Sequence, residues 1–320
     1  MKIKVSIVVI FCLFIQNLRA QMVPGEDENI PYLINFGPKA KKSFGDDDYK
    51  QAFFFVIPSS YKNPFFIRIF DPTISGKHDE QIVDFDTKMK FSFFGGEGIY
   101  SDVRGSNAPN LSEAETGDLL DEKEFGNEID YDDVWYTFGP FNPTEGEYVS
   151  ELDGYVFKML AQGVSGDDGN AYKYFLSSKT NENLAITGAN AFTFEYTVRL
   201  HESNKEVSHL YPFVDSKVMK LKQHNFDLDA ACEINVYSVK KIAEKGEVSG
   251  DNVWTTSTHR VYNDERESCM DFQIVNNKKG VAKNNNVVLY ITNQYGEYLP
   301  FMAVPIGDYT PKKVVKAKGG

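Results

Sequence analysis

Between residues 192 and 199 the side chains alternate without a break. Phe192, Phe194, Tyr196 and Val198 are apolar; Thr193, Glu195, Thr197 and Arg199 are polar. A period of two places each set on one face of an extended strand, and an α-helix has no use for it. Short runs rich in Val, Ile, Phe, Tyr and Thr, broken by Gly, Pro, Asn and Asp, recur along the chain. They predict strands near 53–58, 65–70, 88–94, 134–138, 155–161, 171–177 and 191–200. A second set is predicted near 231–239, 252–260, 269–275, 287–293 and 298–304. Helical spacing is confined to 239–246 and part of 112–124. The expected fold is therefore all-β: two tandem antiparallel β-sandwich domains, jelly-roll or Ig-like, with few short helices. The polar stretch 201–206 divides the domains, giving 28–203 and 207–309. Residues 96–132 are acid-rich, with only Arg104 and Lys123 as bases, and read as a long loop inserted in the first domain. Residues 310–320 read as a basic flexible tail.

Composition narrows the function. The 320 residues are 42% apolar and 14% aromatic, enough for the cores of two domains and too much for a disordered chain. With 46 acidic and 34 basic side chains the net charge is −12, the opposite of a nucleic-acid binder. Residues 1–20 have the layout of a secretory signal peptide: Lys2 and Lys4, an apolar run from Val5 to Ile15, and Ala20 before the expected cut. Removing them takes Lys2, Lys4 and Arg19 and moves the net charge from −12 to −15. No later run reaches the roughly 20 apolar residues of a membrane helix. The reading is an exported protein of periplasm, outer surface or medium, without a transmembrane segment after signal removal. Its acidity suits solubility, and beyond that cations such as Ca²⁺ or basic partners. Cys232 and Cys269 both fall in predicted strands. One bridge between them, stabilising by about 3–4 kcal/mol in the chain-entropy picture, is one expectation, and two buried thiols are the other.

Candidate metal ligands sit in acidic turns. Asp167, Asp168 and Asn170 offer three oxygen-bearing side chains between two strands, as a hard cation requires, although Asp168-Gly169 reads first as a hairpin turn. Asp132 and Asp133 precede a strand, where the rim of a sandwich could present them to an ion. Asp46-Asp47-Asp48 and Asp227-Leu228-Asp229 are weighed in the same way. Trp135, with Tyr131 and Tyr136 beside it, is the candidate sugar-stacking group; a core tryptophan between sheets is the alternative. No GxSxG, HExxH, P-loop or GxGxxG motif is found, and the five histidines lack metal spacing. Forty-six acids guarantee chance carboxylate pairs, so none is nominated as a glycosidase pair.

The run 53–72, with Phe55, Pro58, Phe66, Arg68, Phe70 and Asp71, followed by MKFSFFGGEGIYSD, resembles the opening strands of pre-peptidase C-terminal-like sandwich modules of exported bacterial proteins. The likeness covers about residues 50–100, and the D-x-D-L strand typical of that family is not found. It implies a non-catalytic accessory β-domain and no site residues. Three functions follow in order. The first is a non-enzymatic exported protein acting in binding or assembly at the cell envelope, with an envelope protein or polysaccharide as partner. The second is a carbohydrate-binding module, and the third a jelly-roll hydrolase with unidentified carboxylates.

Overall fold

The computed structural model describes residues 21–103, 116–228, 232–276 and 285–307. The expected signal peptide, the centre of the acidic insertion and the basic tail lie outside these residues. In chain order the strands are β1 (Met22–Val23), β2 (Tyr32–Phe36), β3 (Lys50–Pro58), β4 (Phe65–Phe70), β5 (Lys88–Gly95), β6 (Asp118–Phe125), β7 (Trp135–Phe141) and β8 (Glu147–Val149). Next come β9 (Gly154–Ser165), β10 (Gly169–Ser177), β11 (Asn190–Thr193), β12 (Glu195–Arg199), β13 (Val207–Leu210), β14 (Phe213–Val214) and β15 (Lys220–Phe226). The remainder are β16 (Cys232–Tyr237), β17 (Glu244–Gly246), β18 (Trp254–Arg260), β19 (Ser268–Cys269), β20 (Asp271–Asn276), β21 (Asn286–Thr292) and β22 (Phe301–Met302). Helix is limited to single 3₁₀ turns among the described residues. None is long and apolar enough to cross a membrane.

All pairings are antiparallel, and the fold is all-β as expected. A nine-stranded sheet runs β18-β15-β21-β12-β2-β10-β4-β7, with β1 also on β10. A seven-stranded sheet runs β22-β11-β3-β9-β5-β6, with β8 on β9. A four-stranded sheet, β13-β20-β16-β17, and the short pair β14-β19 complete the structure. The two large sheets meet face to face through aromatic side chains. Tyr172 and Tyr174 from β10 lie 5.2 Å and 5.4 Å, ring centre to ring centre, from Phe91 and Phe53 of the opposite sheet. The inward-facing members of each alternating run supply this core, and such tilted aromatic pairs add about 0.5–1.5 kcal/mol each beyond burial. The opposing backbones approach so closely at Gly163 that a Cβ there would stand 2.1 Å from the Phe36 carbonyl oxygen.

The smaller sheet covers the other wing of the same large sheet. Ile234, Phe272 and Ile274 pack towards Leu289 and Ile291 of β21. The hydrogen-bonded ladder passes the 203–207 junction without interruption: β12 pairs with β21 from Glu195↔Tyr290 to Arg199↔Asn286. One apolar cluster contains Phe53 and Phe91 from the first half and Val236 and Phe272 from the second.

Three expectations are corrected. Residues 118–125, assigned to a helical turn and a loop, form β6 at the edge of the seven-stranded sheet. Its outward positions carry Glu122 and Glu124, charges that discourage a further strand from adding at this edge. Residues 239–246 are not helical: Ser238 Oγ accepts the N–H groups of Lys240 and Lys241 in a turn, and β17 follows. A third correction concerns the cysteines. Cys232 lies opposite Asn276, seven residues along the chain from Cys269, a span of about 20 Å or more in extended backbone. Bridged cysteines have Cα atoms under about 7 Å apart, so the two are not joined.

Candidate functional site

Adjacent residues of a strand face opposite ways, and this divides the nominated aromatic group. Trp135 stands on the outer face of the nine-stranded sheet, half-buried. The Arg68 guanidinium lies 5.3 Å above its ring, with Phe70 at 5.4 Å and Phe175 at 6.3 Å. Tyr136 points to the other face and joins Phe125 and Phe138 against the core. Tyr131 packs edge-on to Tyr136, and the Lys123 ammonium sits 4.6 Å and 4.5 Å from these two rings. The three residues therefore form no common platform, and the contacts of each explain it as packing.

The acidic turns differ sharply from one another. Asp168 is fully buried and holds the 82–87 segment in place. Its Oδ1 accepts from Ile82 N at 2.9 Å, and its Oδ2 from Asp86 N at 3.0 Å and Thr87 Oγ1 at 3.1 Å. One oxygen from each of Asp86, Asp167 and Asp168 lies within 4.8 Å of the others, but those of Asp168 are engaged by backbone and hydroxyl donors. Asp46, Asp47 and Asp48 form a second such group. Asp46 is buried and accepts from Phe36 N and Tyr49 N, both at 2.8 Å. Burial, with the nearby Asp48 charge adding, pushes its carboxyl up to about 8.

Asp132, Asp133 and Asn170 come together around a residue not nominated as a ligand, Asp71. It follows β4 directly, with φ 57°, and its N–H donates to Val134 O at 2.9 Å. Its Oδ1 accepts from Asp133 N at 3.1 Å. On the other side Asn170, the second residue of β10, donates Nδ2–H to Pro72 O at 2.9 Å. Asp133 is engaged by Lys77 at 2.8 Å and His78 at 3.0 Å. Burial holds the Asp71 carboxyl up at about 7, and the Asp132 and Asp133 charges add to the effect. Sequence reasoning passed over Asp71 because Asp-Pro after a strand reads as a turn.

An open concavity lies elsewhere, at the end of β15 and β18. It is an open groove of about 850 Å³, walled by Lys220 from β15, Thr258 and Arg260 from β18, and Tyr262 and Arg266 beyond it. Lys220, Arg260 and Arg266 have no carboxylate partner among the described residues, whereas Lys240 on the rim pairs with Asp264 at 2.6 Å. Beneath the groove a buried ion pair fixes its wall. Lys241 Nζ reaches both Glu265 oxygens at 2.8 Å and 3.0 Å and also donates to Arg260 O. Glu265 in turn accepts from Tyr262 N at 2.7 Å. The three unpaired bases are 46 residues apart in sequence at their extremes, so no local motif announced them.

Fold and surfaces together define a β-sandwich protein with a cationic groove. No protein-family model matches the chain, and comparison with curated proteins finds no match.

Proposed function

We propose that this is an exported, non-enzymatic binding protein of the bacterial cell envelope that takes an acidic polysaccharide segment in the groove beside β18. One observation carries the reading: a chain of net charge −12 gathers Lys220, Arg260 and Arg266, without acidic partners among the described residues, in one open groove. Guanidinium groups recognise carboxylates through paired hydrogen bonds, and an open groove of this size admits a chain passing through it. Tyr262, 42% exposed, adds an aromatic edge of the kind that sugars contact. Residues 1–20, with their signal-peptide layout, support export, and the likeness of residues 50–100 to accessory β-modules agrees with a binding role. A protein partner with an acidic tail would use the same groove and is separated by the test.

The test is calorimetric titration with polygalacturonate and with a neutral glucan. Binding to the first, weakened by added salt and lost in the Lys220→Glu/Arg260→Glu double variant, is expected. Equal binding to both polymers, or polygalacturonate binding unaffected by the double variant, refutes the reading. Failure to bind any acidic polysaccharide, with capture of an acidic peptide that the double variant abolishes, moves the assignment to a protein partner.

A further inference from the structure

Most buried polar groups in a folded protein find a hydrogen-bond partner, so a concentration of unsatisfied ones asks for a cause. At one end of the nine-stranded sheet five buried side-chain oxygens have none among the described residues: Asp71 Oδ2, Thr73 Oγ1, Ser75 Oγ, Asp132 Oδ1 and Asn170 Oδ1. Asp71, Thr73 and Asn170 are wholly inaccessible to solvent. Leaving such groups unsatisfied is costly, most of all for an ionised carboxylate.

The five belong to three neighbouring chain segments. Asn170 Nδ2–H donates to Pro72 O at 2.9 Å, which holds its side chain against the chain between Asp71 and Thr73. Phe70 pairs with Trp135, so the segment before β7 that carries Asp132 flanks Asp71. The Asp132 carboxylate lies against the same loop: a Cβ on Gly76, which has φ +81°, would stand 2.2 Å from Asp132 Oδ1. Asp79 ties the loop back to β10, accepting from Ser75 N and Ala171 N, both at 2.7 Å. No basic side chain forms an ion pair with Asp71 or Asp132 among the described residues; Lys77 and His78 both go to Asp133.

We propose that Asp71, Thr73, Ser75, Asp132 and Asn170 form a Ca²⁺ site that fastens the 71–79 loop to the ends of β7 and β10. The donors are all oxygen, two of them anionic, which suits a hard cation and offers nothing to a soft one. Ca²⁺ takes six to eight oxygens at about 2.3–2.6 Å in flexible geometry, so five side-chain donors leave room for water or a carbonyl. The neutral donors Thr73 and Asn170 separate this place from an ordinary cluster of surface acids. Mg²⁺, which holds its waters and demands a strict octahedron, fits this donor set less well.

The full chain, stripped with chelator and titrated with CaCl₂ by calorimetry, is expected to bind one ion here, and its melting midpoint to rise with Ca²⁺. Asp132→Asn keeps the shape and removes one charge at a half-buried position. It is expected to weaken Ca²⁺ binding at least tenfold, whereas Asp47→Asn in the other acidic group leaves it unchanged. Tb³⁺ luminescence excited through the aromatic side chains gives a second reading that does not depend on a melting transition. Absence of Ca²⁺ and Tb³⁺ binding overturns the proposal. So does binding that survives Asp132→Asn, or that is lost in Asp47→Asn instead. The site is independent of the cationic groove, and neither result bears on the other.

Discussion

Glu28 offers the sharpest test of how this sandwich is held together. Its carboxyl is wholly buried where the N-terminal segment crosses the core, accepting from Gly25 N and from the Tyr196 hydroxyl at 2.8 Å and 3.0 Å. Burial raises it from 4.5 to about 8, and those hydrogen bonds recover only part of the cost. A carboxyl with a raised folded-state value binds its proton more tightly when folded. Its contribution is therefore fully present below about pH 4, declines as pH rises, and is lost above about pH 8. At about 1.4 kcal/mol per pH unit the whole swing is up to ~5 kcal/mol, and about half of that is realistic after relaxation. Glu28→Gln imitates the protonated acid and does not titrate. In urea unfolding, wild type and variant should be similarly stable near pH 4, whereas near pH 9 the variant should be the more stable by ~2–5 kcal/mol. Other titrating groups cancel in the difference between the two proteins. A difference that does not change with pH refutes the reasoning.

Two further outcomes follow from the packing. Lys241→Ala leaves Glu265 buried without its counter-charge and should cost about 3–5 kcal/mol in denaturant unfolding; replacing both with apolar residues of similar size should cost less, as for other buried ion pairs. Trp135→Ala should lower stability by about 1–3 kcal/mol through lost contact with Arg68, Phe70 and Phe175, with polygalacturonate affinity unchanged. Loss of polysaccharide binding in this variant would restore Trp135 as a contact residue.

Strands whose inward positions are apolar were legible from alternation alone; β3, β4, β9 and β10 fall close to where the pattern put them. Strand β15 was missed because its inward face reads Leu221, Gln223, Asn225, and a buried amide is silent to a search for apolar periodicity. Gln223 Oε1 accepts from Ser257 Oγ of β18 and Asn225 Nδ2 donates to Glu247 O just after β17, partners distant in sequence and invisible locally. For β6 the charged outer face hid a strand that only an edge would tolerate. At the candidate sites, Asp132 and Asn170 were readable as oxygen donors. Asp71, which stands between them, was not, because its neighbours come from segments about 60 and 100 residues away. Trp135 and Tyr136 are a different case: adjacent positions of one strand point to opposite faces, so their parity in the chain alone sets them apart.

The ladder that joins β12 to β21 sets when this chain can fold. Strand β11 finds β22 only when Thr193 meets Phe301, and Leu33 must wait for Val198. Pairings of such long separation close slowly, because loop entropy is lost before contacts reward it. A growing chain therefore cannot complete either large sheet until nearly its last strand is made. Cutting the chain near residue 203 would leave β12 and β21 each with a bare edge, and sticky halves in place of two small proteins.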